Sequence, residues 1–128
     1  MNFQLLVYLS EDNKKSHELN NSYVLGRDSS CEIRILSNIL SREHCTLILM
    51  PKAKHDLHPY YLLRDGVFAG NPSRNGTWVN GDRITEITKL KHQDIITFGR
   101  DYPKAVFWES ESEAEQYKNE TFPSDYEY

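Results

Sequence analysis

The chain has 128 residues, 38% apolar and 27% charged, with a formal net charge of −4, enough for one domain of ordinary size with a real hydrophobic core. Its longest apolar runs, 5–9 and 47–50, are too short to cross a bilayer as helices, and its start lacks the basic and then apolar pattern of a secretory signal. A cytoplasmic chain with no membrane contact is expected.

Phe3, Leu5, Val7 and Leu9 alternate with the period of a strand that buries one face. Residues 11–15 read as a polar turn, and 22–25 as a short strand stopped by Gly26. Glu32, Ile33, Arg34 and Ile35 alternate again, 37–41 is a turn-rich link, and 45–50 is a dense strand closed by Pro51. Residues 52–58 read as a polar connection, with 60–63 as the return strand, ended by Asp65 and Gly66. A longer loop, 67–75, leads to a small hairpin in which 77–79 and 83–85 flank Asn80-Gly81. Strand 94–98 stops at Gly99, and 105–108 closes the body, expected to pair with the first strand. Short strands separated by turn residues, with no helical periodicity, imply an all-β fold, a two-sheet sandwich.

Seven of the 19 acidic residues lie in 109–128, beside a single base, Lys118. The body, 1–108, is therefore mildly basic, too weakly to suggest nucleic-acid binding. The tail, 109–128, lacks an apolar stripe and is expected to be flexible, although 109–118 has some helix propensity. Cys31 and Cys45 are read as reduced, buried thiols, because no signal directs the chain to an oxidising compartment. No Cys/His spacing resembles a metal site, and His55-Asp56-Leu57-His58 reads as a solvated connection. No metal and no cofactor are expected.

Three segments carry the functional signal. Gly26-Arg27 ends one strand, and Ser41-Arg42-Glu43-His44 precedes another. Ser73-Arg74-Asn75-Gly76-Thr77-Trp78-Val79-Asn80-Gly81 holds two Asn-Gly pairs, the strongest short signal for tight turns. Together they point to a pocket for a phosphate, a group of about −1.5 to −2 charge with three acceptor oxygens on a protein side chain, which needs fixed cations and hydroxyl or amide donors. Arg27, Ser41 and Asn75 supply a guanidinium, a hydroxyl and a carboxamide.

In order and spacing these motifs resemble the forkhead-associated (FHA) domain, over nearly all of the body. The resemblance implies a sandwich of about eleven mostly antiparallel strands that binds phosphothreonine peptides through loops at one end. It implies that Arg27 and Ser41 contact the phosphate and that Asn75 holds the peptide main chain. Arg42 falls where the family carries a basic or amide residue that reaches the ligand, or is a solvated charge, and Arg74 adds positive field. His44 is implied to be structural, holding the loop that presents Ser41. Gly26, Gly76, Thr77, Asn80 and Gly81 are assigned to the scaffold. Ile39 stands where the family often carries a basic residue that reads the third position after the phosphothreonine, so an apolar residue is expected there. Phe68 either lines the peptide groove or fills core space.

The function expected is a phosphothreonine-binding module for a protein partner, acting as a signalling adaptor or scaffold and not as an enzyme. No G-x-G-x-x-G loop or P-loop is present, and Ser41 with His44 lacks the third group a nucleophile needs. The alternative keeps the fold but binds partners without phosphate, through a sheet face bearing Tyr60, Tyr61 or Trp78. The tail carboxylates offer a mask for Arg27 and Arg42, and Thr121 an internal phosphosite. The partner, its kinase, the oligomeric state and whether the chain stands alone are left open by the sequence.

Overall fold

The computed structural model describes residues 1–54 and 57–111, together with 123–124 and 126–127. The body is an all-β sandwich of eleven strands. They are β1 (Asn2–Ser10), β2 (Asn13–Leu19), β3 (Tyr23–Gly26), β4 (Ile33–Arg34), β5 (Cys45–Met50) and β6 (Tyr60–Asp65), then β7 (Trp78–Val79), β8 (Asp82–Arg83), β9 (Thr88–Lys89), β10 (Ile95–Thr97) and β11 (Lys104–Ser110). One sheet has the order β2-β1-β11-β10-β7-β8 and the other β4-β3-β5-β6-β9. The β3–β4 pair is parallel and the other pairs in these two sheets are antiparallel. Pro123–Ser124 and Tyr126–Glu127 form a separate two-stranded pair. The helix considered for 109–118 falls mainly outside the described residues, as do His55, Asp56 and Thr121.

The alternation of β1 buries Phe3, Leu5 and Val7, and Leu5 faces Phe107 across the β1–β11 pair expected from the sequence. Leu9 is 39% exposed, against expectation, because the β1–β2 register shifts between Tyr8 and Ser10 and the strand leaves the core there. From the opposite sheet come Leu25, Cys45, Leu47, Tyr61 and Leu63, all buried. The Phe3 and Tyr61 rings meet edge-on at 5.1 Å, and both lie 5.8 Å from Phe107, an aromatic cluster that ties the two sheets together. Both cysteines are free thiols and both are buried.

Two strands escaped the sequence pattern. β2 occupies most of the segment read as a polar turn, because it is an edge strand exposed along most of its length. Lys14 and Lys15 on such an edge discourage pairing with another chain, and only Leu19 reaches the core. β9 is too short to show a period, and it forms by pairing Thr88 and Lys89 with Leu63 and Leu62 of β6. Tyr61, offered as an exposed aromatic, is 0% exposed, and its hydroxyl donates to the Asn21 carbonyl at 2.7 Å. Phe68 stands 86% exposed on its loop beside the Arg64 guanidinium and fills no core space. The β3–β4, β4–β5 and β6–β7 loops meet beside the end of β3.

Candidate functional site

Gly26 is where β3 touches the β4–β5 loop. A Cβ there would lie 2.0 Å from the Arg42 carbonyl oxygen, so only glycine allows the approach. The Arg27 and Asp28 amides then donate to the Ser41 and Arg42 carbonyls, each at 3.2 Å, and Arg27 Nε donates to the Leu40 carbonyl at 3.0 Å. Leu40 is fully buried. A core side chain thus fixes the carbonyl that in turn fixes the guanidinium.

The second junction joins the β4–β5 and β6–β7 loops. The Ser41 amide donates to His44 Nδ1 at 3.0 Å, and His44 Nε2 donates to the Gly76 carbonyl at 2.7 Å. A backbone N–H can only donate and a carbonyl can only accept, so the ring is the neutral tautomer protonated at Nε2. His44 is 0% exposed and lies edge-on to Phe98 at 5.1 Å. Burial pulls its pKa below the usual histidine value, with the Gly76 bond opposing. Both ring nitrogens are thus engaged by the backbone of the two loops.

Above this junction the Arg74 amide donates to Ser41 Oγ at 2.9 Å, which leaves the Ser41 hydroxyl proton for another acceptor. Arg74 Nη2 donates to the Asn38 carbonyl at 3.0 Å, and Asn75 Nδ2 donates to the Ile39 carbonyl at 2.8 Å. The 36–40 segment is therefore gripped from one flank by Arg74 and Asn75 and from the other by Arg27.

Asp65, at the end of β6, organises the 66–77 loop. Its carboxylate accepts from the Ser73 amide (3.1 Å), the Ser73 hydroxyl (2.5 Å) and the Thr77 hydroxyl (2.6 Å). Burial raises its pKa, but the Ser73 and Thr77 hydrogen bonds outweigh that and hold it below the usual aspartate value. Thr77 is thus a buried scaffold residue. Asn80, at φ 52°, forms the hairpin turn with Gly81, and its amide joins Asp94 Oδ1 and the Ile95 amide, each at 2.9 Å.

Hydrogen bonds join the loops that bear Arg27, Ser41, Arg74 and Asn75, through the Ser41 carbonyl, the Ser41 Oγ and the Ile39 carbonyl. Of the four, Arg27 alone lines the open notch beside them, of about 530 Å³, with Arg34, Leu36, Ser37 and Asn38. Arg42 is exposed and acts electrostatically on Asp28. Ile39 packs partly against the core, and the exposed apolar side chain at the notch is Leu36. The organising role of Asp65 goes beyond the strand end that its sequence position suggests, although an Asp-Gly pair followed by a Ser- and Thr-bearing loop is a signal for such a hub. Among the described residues no group of His, Cys, Asp and Glu side chains is placed to hold a metal ion.

The profile of the FHA domain matches residues 23–99. The Synechocystis protein sll1895 is 37% identical over 101 residues, which are 79% of this chain and 14% of that protein, and the chain spans a small part of the curated relatives it matches. The crystal structure of the Synechocystis protein Slr1951 superposes with a TM-score of 0.72 at 25% identity, covering 85% of this chain and 99% of that one. The MEK1 FHA domain in complex with the HOP1 pThr318 peptide superposes with a TM-score of 0.62 at 19% identity, covering 84% of this chain and 97% of that one. The chain belongs to the FHA domain family.

Proposed function

We propose that this chain is a phosphothreonine-binding module, without enzymatic activity, that recruits a phosphorylated protein partner through the loops around Arg27, Ser41 and Asn75. The observation that carries this reading is the pairing of Ser41 with Arg27. The serine oxygen accepts from the Arg74 amide and keeps its proton for another acceptor, while Arg27, whose amide donates to the Ser41 carbonyl, has its guanidinium held through Nε on the Leu40 carbonyl. A hydroxyl donor and a fixed cation on neighbouring loops suit a tetrahedral dianion, and a preorganised fork loses little entropy on binding it. The peptide complex of the MEK1 FHA domain supports the ligand class by analogy.

In this reading His44, Asp65 and Thr77 position the loops and touch no ligand. Asn75 supplies its remaining carboxamide oxygen to a peptide N–H while its nitrogen stays on Ile39. The test is a phosphothreonine peptide array probed with the wild type, Arg27→Ala and Ser41→Ala. Loss of signal in both variants, with circular dichroism unchanged, is expected. Binding that survives dephosphorylation of the peptides would contradict the reading.

A further inference from the structure

The six-stranded sheet buries Leu5, Val7, Ile96, Ala105 and Phe107 on its inner side, and the alternate residues of the same strands point away from the core. The register sets three of these in a row, with Leu6 opposite Val106 and Val106 opposite Ile95. The next row runs Tyr8, Lys104, Thr97 and Trp78. Trp108, opposite Gln4, extends the face toward the end of β11. Ile95 is 39% exposed and the other apolar members are half-buried. A contiguous apolar and aromatic sheet face in contact with water marks an interaction surface.

The charge of this face is mainly positive. The Lys14 and Lys104 ammonium groups lie 5.8 and 5.7 Å from the centre of the Tyr8 ring, and the Arg83 guanidinium lies 6.0 Å from that of Trp78. Among the described strand residues on this side, Glu18 at the edge is the one carboxylate. The same face of a second copy would set cations against cations. An acidic, aromatic segment fits instead, and the chain carries one. The 18 residues from Glu111 hold six carboxylates, one lysine and four aromatic rings. They follow directly on β11, the strand that bears Lys104, Val106 and Trp108. Fully extended, such a length reaches about 60 Å, whereas the seven residues of β11 span about 24 Å. The segment is therefore long enough to turn back over the whole face.

We infer that the acidic segment 111–128 of this chain docks on the outer face of the six-stranded sheet, its aromatic rings against Leu6, Val106 and Ile95 and its carboxylates beside Lys14, Lys104 and Arg83. The contact is made by side chains, because β11 has β1 on one edge and β10 on the other and offers no edge to a further strand. Trp78 joins this face to the binding loops, since its Nε1 donates to the Asn75 carbonyl at 3.1 Å. The docking itself concerns the side of the sandwich and stands independently of what those loops bind.

The test is paramagnetic relaxation enhancement on the full chain, with a nitroxide attached through Ser124→Cys. Cys31 and Cys45 are buried, which leaves the introduced thiol as the reactive one. At low salt the amides of Leu6, Tyr8, Ile95, Lys104 and Val106 are expected to relax severalfold faster than those around Leu62 and Lys89 on the opposite sheet. That contrast is expected to vanish on going from about 0.01 M to about 1 M salt, where the Debye length contracts from about 30 Å to about 3 Å. It is expected to vanish also in the double variant Lys14→Glu, Lys104→Glu, and to persist in Lys89→Glu. Replacing Glu113, Glu115 and Glu120 together by glutamine removes the same attraction from the other partner, and decides the matter where Lys104→Glu disturbs the sheet. Equal enhancement on both sheets, or a contrast that survives the charge variants, overturns the inference. Enhancement centred on Arg27, Ser41 and Arg42 overturns it by making the segment a mask for the binding loops. Enhancement in a mixture of isotope-labelled chains with separate nitroxide-bearing chains overturns it in favour of a second copy's segment.

Discussion

His44 Nε2 donates a hydrogen bond of 2.7 Å to the carbonyl of Gly76, 32 positions further along the chain. The same ring accepts the Ser41 amide, so one buried imidazole sets the distance between the loop that bears Ser41 and the loop that bears Asn75. Replacing it with alanine opens a cavity and strands a buried amide and a buried carbonyl. His44→Ala is expected to cost about 2–4 kcal/mol and to weaken peptide binding although His44 touches no ligand. Urea denaturation and peptide titration measure the two effects.

The protonation of His44 gives a pH dependence. Its folded-state pKa lies below the unfolded value of 6.5, so below that pH the unfolded chain binds a proton the folded chain refuses. Stability is therefore expected to fall as pH drops below 6.5, until the folded ring itself protonates. His17 shifts the same way through burial and Lys15, so ring-proton NMR is the measurement that separates them. The His44 resonances are expected to stay those of the neutral ring through pH 6.5.

Asp65 acts in a more acidic window. Its carboxylate is held below the usual aspartate value of 3.8, so its contribution is complete above that pH and is lost as pH falls through the lower folded value. Asp65→Ala removes three hydrogen bonds at once and leaves the buried Ser73 and Thr77 side chains without their acceptor. A loss of about 2–4 kcal/mol in chemical denaturation is expected, together with weaker peptide binding through the 66–77 loop.

Gly26 and Gly81 offer a contrast. A Cβ at Gly26 meets the Arg42 carbonyl at 2.0 Å, whereas a Cβ at Gly81 meets nothing within 4 Å. Gly81→Ala is expected to cost only the strain of φ +87°, about 1 kcal/mol. Gly26→Ala is expected to cost about 3 kcal/mol or more, because backbone must move, and to separate Arg27 from Ser41. Comparison of the two variants by thermal denaturation and peptide binding checks this.

The strands with a buried face and a clear period, β1, β5, β6, β10 and β11, were legible in the sequence, and so was the all-β class. The edge strand β2 was not, since six of its seven residues lie outside the core and polar sequence near a turn reads as turn. At the site, the residue types were legible but their hydrogen-bond partners were not. Asn75 and Arg74 reach back to the carbonyls of Ile39 and Asn38, and backbone carbonyls carry no sequence signature.

The most direct measurement is amide NMR mapping of the chain with a phosphothreonine peptide and with its unphosphorylated twin. The account predicts perturbations concentrated at Arg27, in 36–42 and in 73–76, seen only with the phosphorylated peptide. Equal perturbations with both peptides, or perturbations centred on the sheet surface around Tyr60 and Trp78, would contradict it.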